Sequence, residues 1–64
     1  MKTKHDRYIL TLKNDKEILK LYYNNKLNVH KVLNAKTGKC VWYWIGMMLD
    51  EILPCYRDRY EIEK

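Results

Sequence analysis

The sequence predicts a small α+β domain: an antiparallel meander of three or four strands, with one short helix over about residues 46–53 packed on one face. Three observations lead there. Short apolar stretches separated by Asn- and Asp-bearing turns run from Tyr8 to Ala35, the spacing of hairpin-linked strands. From Val41 to Ile45 every residue is β-branched or aromatic, which favours a pleated, half-buried surface. From Ile45 onward the apolar positions become Ile45, Met48, Leu49, Ile52 and Leu53, the stripe of an amphipathic helix.

Taken in order, Met1 to Asp6 is a polar tail expected to fray. Tyr8 to Lys13 reads as a first strand with Tyr8, Leu10 and Leu12 on one side. Asn14-Asp15-Lys16 then supplies turn residues that also suit a helix N-cap. Glu17 to Tyr23 alternates as Leu19, Leu21 and Tyr23 against Ile18, Lys20 and Tyr22, the pattern of a strand. A helix capped by Asp15, with Ile18, Leu19 and Tyr22 on one face, is the alternative. Asn24-Asn25 marks a turn, because Asn tolerates the left-handed region. Asn28 to Ala35 is a further strand, and Gly38 is the expected positive-φ residue of the hairpin that follows.

The stretch Lys39 to Leu53 organises the rest. It holds both tryptophans and the longest uncharged run, Cys40 to Leu49. Gly46 sits where the period changes, and glycine supplies the unusual φ/ψ of a strand-to-helix corner. Asp50 and Glu51 fall on the far side of the helix. Pro54 ends it, since its ring disfavours the α conformation at Leu53 and lacks an N–H. One continuous helix from Val41 to Leu53 is the competing reading of the segment. Beyond Pro54 the charged tail, residues 54–64, forms either a helical turn with Tyr56 and Tyr60 at i,i+4 or a short edge strand RYEIE.

Size narrows the function classes. A chain of 64 residues is one domain that buries only about 60% of its unfolded surface. Cys40 and Cys55 could make one bridge at most, and the basic start is not followed by an apolar signal-peptide core. The ten-residue run from Cys40 to Leu49 is shorter than the roughly 20 residues a membrane span needs. The expectation is a cytoplasmic protein with two free thiols, no membrane association, and dimerisation as a further source of stability.

Catalytic and metal motifs were sought by spacing. Gly38-Lys39 lacks the first glycine of a phosphate loop and is followed by Cys40 where Ser or Thr belongs. His5 and His30 lie upstream of both cysteines, with no close ligand pair to start a zinc site. Asp50-Glu51 and Asp58/Glu61 read as solvated charge, and nothing beside either cysteine marks a lowered pKa. The sequence therefore predicts a non-enzymatic protein with no cofactor and no metal.

Charge and aromatics point toward binding. Residues 1–39 carry ten Lys/Arg against three acids, for +7, and residues 40–64 carry three against five, for −2; together these make the net +5. Ten of the thirteen basic residues are lysine, suited to solubility and loose phosphate contact more than bidentate recognition. Trp42 and Trp44 are two apart and point to one face of their strand, while Val41, Tyr43 and Ile45 point to the other. One short helix covers one face of a sheet, so one aromatic row is expected to stay partly exposed. Trp42, Trp44, Tyr43 and Tyr22, with the interleaved Lys13, Lys20 and Lys31, are the partner-binding candidates. The leading expectation is a protein–protein interface, in a small inhibitor or regulator of a host factor such as a defence system. Its Asn, Lys, Ile and Tyr richness is what AT-rich codons give, as in phages and mobile elements. The alternative is a basic nucleic-acid-binding domain, a small repressor or recombination accessory factor, if the lysines share the exposed aromatic face.

Overall fold

In the computed structural model, which describes residues 6–64, three asparagines build the sheet's hairpins. The chain runs β1 (Asp6–Lys13), β2 (Ile18–Asn24), β3 (Val29–Asn34) and β4 (Cys40–Ile45). It continues through α1 (Leu49–Ile52), a 3-10 turn (Leu53–Cys55) and β5 (Glu61–Glu63). Asn14, Asn24 and Asn34 each stand where a strand gives way to a turn. The Oδ1 of each accepts the backbone N–H groups two and three residues on, at 2.8–3.1 Å. A side chain that satisfies two turn donors stands in for a backbone turn, so one device recurs at ten-residue spacing. Within these turns the left-handed residues are Asn28 (φ 54°) and Gly38 (φ 76°). Gly38 is where the sequence places one. Asn24 and Asn25 turn the chain through the Asn24 side chain, and the positive φ falls at Asn28 instead.

The sheet is antiparallel in the order β4-β3-β2-β1-β5. It has five strands, against the three or four expected. The fifth comes from the charged tail, whose RYEIE segment pairs with β1 through Thr11–Glu63, Leu12–Ile62 and Lys13–Glu61. Residues 18–24 settle as a strand, because alternation places Leu19 and Leu21 beside Leu12, Leu10 and Val32 on the buried face. Asp6 is paired within β1 opposite Asn24, and the remainder of the expected tail, Met1 to His5, lies outside the described residues.

Two bulges change which side chains share a face. β1 shifts register between Tyr8 and Leu10. Tyr8 therefore faces the same side as its partner Tyr22, and Leu10 faces the other with Leu21; the expected grouping of Tyr8 with Leu10 and Leu12 is corrected. β4 shifts register opposite Val32–Leu33, so Val41 drops out of the ladder and Cys40 joins Tyr43 and Ile45 on one face.

The core is Leu10, Leu12, Leu19, Leu21 and Val32 from the sheet, covered by Ile52, Leu53 and Tyr56. The helix is shorter than expected. Gly46 (φ 68°) turns the corner, Met48 is extended at φ −82°, ψ 158°, and α1 starts only at Leu49. Glu51 accepts the Met48 N–H at 3.0 Å and closes the start of the helix. Ile45 and Met48 therefore stay outside the stripe and are exposed, while Leu49, Ile52 and Leu53 pack on the core. α1 ends at Ile52, but the reason expected for it is corrected: Leu53 keeps the αR conformation (φ −57°, ψ −38°) and the chain passes through Pro54 in a 3-10 turn. The cover reaches β4 at Trp44, which packs against the core beside Tyr56, and leaves Trp42 exposed.

Candidate interaction surface

Register sorts the seven candidate residues onto two faces. Trp42 pairs with Val32 and Trp44 with His30, on the helix-covered face. Tyr43 pairs with Lys31, and Lys31 with Tyr22, on the opposite, open face. Lys20 lies on that face too, opposite Thr11, as does Lys13, opposite Glu61. The open face thus unites Tyr22, Tyr43, Lys13, Lys20 and Lys31 and leaves both tryptophans behind it.

The two tryptophans differ in environment. Trp44 packs against the core, and its Nε1 donates to the Tyr56 hydroxyl at 3.2 Å. Edge-to-face contacts run from Trp42 through Trp44 and Tyr56 to Tyr60, a geometry the ring quadrupoles favour. Tyr60 ends the series in a short hydrogen bond to the Glu17 carboxylate. That bond, with burial second, holds the Tyr60 phenol above its ordinary pKa. Trp44 is therefore a structural residue. Trp42, on the edge strand β4, is 58% exposed.

On the open face the exposed apolar residues are Tyr8 at 48%, Ile18, Tyr43 at 55% and Ile45 at 74%. Tyr22 is closed in, with Tyr8 edge-on at 5.8 Å between ring centres. A hydrogen bond with the Cys40 side chain is the main influence raising the Tyr43 phenol pKa. Cys40 and Cys55 are both exposed free thiols. Sequence reasoning missed Tyr8 because the bulge after it is invisible in a period-two pattern. It places Ile45 on the Tyr43 face of the strand but also at the start of the helical stripe, and so leaves it out of the candidates.

One of the three lysines on this face is ion-paired among the described residues. Lys31 Nζ donates to Asp6 Oδ2 at 3.3 Å, with the Asp6 side chain only 2% exposed. Asn24 Nδ2 donates to the other Asp6 oxygen at 2.9 Å. Lys13 stands across from Glu61, and Thr11 lies between Lys20 and Glu63. Behind the sheet His30 is buried between Tyr23, 4.7 Å away ring to ring, and the Met47 backbone. Desolvation lowers its pKa, partly opposed by a backbone hydrogen bond at Met47. Its Nδ1 has no hydrogen-bond partner among the described residues.

Among the described residues no group of three or more His, Cys, Asp or Glu could hold a metal ion. No helix there is long and apolar enough to cross a membrane. Fold and surface together define a small α+β domain with one open, partly apolar sheet face. Set against protein-family models, curated proteins and solved structures, the chain matches none.

Proposed function

We propose that this chain is a non-enzymatic binding protein whose open sheet face docks onto another protein, inhibiting or regulating it. The observation that carries the reading is the composition of that face. Tyr8, Ile18, Tyr43 and Ile45 present exposed apolar and aromatic surface, the kind that anchors interfaces. One of its three lysines is held at home: Lys31 is paired to Asp6, while Lys13 stands in register with Glu61. A phosphate backbone needs free cations, whereas a protein partner needs desolvatable surface with its charges already satisfied. The kind of small protein that phages and mobile elements direct at host factors fits this surface and the Asn, Lys and Tyr richness.

A nucleic-acid reading keeps one observation in its favour: Lys13, Lys20 and Lys31 do share a face with Tyr22 and Tyr43. The two separate experimentally. Immobilised protein is offered host lysate, and saturable capture of a protein is scored against Tyr8→Ala and Ile45→Ala. Loss of capture in both variants at unchanged melting temperature is expected. Capture that ignores both substitutions overturns the reading. So does binding to single-stranded or duplex DNA that weakens steeply as salt is raised from about 50 to 200 mM.

A further inference from the structure

The two edges of the sheet are built differently. β5 is three residues long and reads Glu61-Ile62-Glu63, so an approaching strand meets carboxylates. β4 is six residues long and carries no charge on a chain of net charge +5. Proteins normally guard an edge with charge, brevity or proline, because its unpaired N–H and C=O groups template another strand. β5 is guarded. Along the regular part of β4, Trp42 to Ile45, no such guard is present.

We propose that β4 is the pairing edge for a second copy of this chain, the two strands running antiparallel about a twofold axis at Tyr43. The inference stands independently of the protein-partner reading.

The strand itself names the occupant. Val41-Trp42-Tyr43-Trp44-Ile45 reads nearly the same in both directions about Tyr43. Antiparallel pairing about that residue sets Tyr43 against Tyr43, and Trp42 of each copy across from Trp44 of the other. Side chains that meet then belong to the same face, tryptophans behind and tyrosines in front, as isologous symmetry requires. Val41 would meet Ile45 less regularly because of the bulge in β4.

The backbone agrees. Gly46 donates its N–H inward to the Asn28 carbonyl at 3.2 Å. Alternation along an antiparallel strand then turns Trp44 and Trp42 inward too, and directs the N–H and C=O of Tyr43 and Ile45 out to solvent. Tyr43 can exchange both bonds with its mate at the axis. Absence of charge matters equally, since a charge on the axis would face its own copy and one elsewhere along the strand would face an apolar residue.

Area sets the strength. Trp42 and Tyr43 are just over half exposed. At about 150–250 Å² for each buried aromatic, the two together offer on the order of 200 Å² per copy. A standard stable interface needs about 800 Å² per partner. The pair is therefore concentration-dependent, at micromolar levels or weaker. Edge pairing leaves the open face of each sheet free, so the two open faces join into one ten-stranded surface with the Tyr43 pair at its centre.

Sedimentation equilibrium of the chain alone, from about 1 to 500 µM, tests this. The mass should rise from 7.9 kDa toward twice that value and stop there. Tyr43→Lys, which sets two ammonium groups across the axis, should stay monomeric at every concentration with its circular dichroism unchanged. Tyr43→Glu should do the same, and mixing the two variants should restore the dimer. A wild type that is monomeric at 500 µM overturns the proposal. So does a dimer that survives Tyr43→Lys, a mass that grows past two copies, or failure of the mixed variants to associate.

Discussion

Trp42 and Trp44 are two residues apart on one face of one strand, yet the structure assigns them opposite roles. Trp44 packs against the core and is bonded to Tyr56; Trp42 stands mostly exposed on the edge strand. Truncating each to alanine separates these roles by stability. A fully buried Trp→Ala costs about 3–5 kcal/mol, including the cavity. Trp44 is only partly buried, but its loss also strands the Tyr56 hydroxyl, worth roughly 1 kcal/mol. A cost of about 2–4 kcal/mol follows, against a total stability of roughly 3–10 kcal/mol for a chain this long. At about 4–8 °C per kcal/mol for a small domain, Trp44→Ala should lower the melting temperature by roughly 10–25 °C or leave the chain unfolded. Trp42→Ala, at a mostly exposed site, should cost under about 1 kcal/mol and a few degrees. The assay is thermal melting followed by circular dichroism, at low micromolar concentration to keep the chain monomeric. Fluorescence of the single-tryptophan variants gives a second readout: Trp44→Phe leaves a red-shifted, acrylamide-quenchable emitter, and Trp42→Phe a protected one. Equal destabilisation by the two alanine variants, or equal quenching, would refute the division into core and edge tryptophan.

Three further outcomes follow from the packing. Ile52 is the one fully buried side chain of the four-residue helix, so Ile52→Ala should cost about 2–5 kcal/mol; a melting shift under about 5 °C would mean the helix contributes little to the core. Burial lowers the His30 pKa below its ordinary 6.5, so the unfolded chain binds more protons between the two values. Stability should then be full above about pH 6.5 and fall as pH drops through the folded-state value. His30→Gln should flatten that decline in melts run from pH 7.5 to 5, and an unchanged slope would exclude His30 as its source. Lys31→Met removes the cation beside a carboxylate that is almost wholly buried. It should destabilise the fold by roughly 1–3 kcal/mol by chemical denaturation, and a neutral result would return Lys31 to the list of free surface cations.

Much of this protein was legible in its residues. Alternation in Leu10–Leu12, Leu19–Leu21 and Val32, turn chemistry at asparagine and Gly38, and the corner at Gly46 are local signals, and local sterics and hydrogen bonding decide them. An all-apolar strand with an aromatic row left in solvent was also readable, because alternation fails there whatever surrounds it. Other features needed the assembled sheet. The bulges at Ile9 and Val41 reverse the faces of Tyr8 and Cys40 only once a neighbouring strand sets the register. Whether 61–63 became a strand depended on β1 having a free edge to offer. The Asp6–Lys31 pair joins residues 25 apart in the chain, and it turns an apparently free lysine into a structural one. Which tryptophan is core and which is edge depended on where a four-residue helix came to rest. These are long-range contacts, and their energies belong to neighbours that the linear chain does not place side by side.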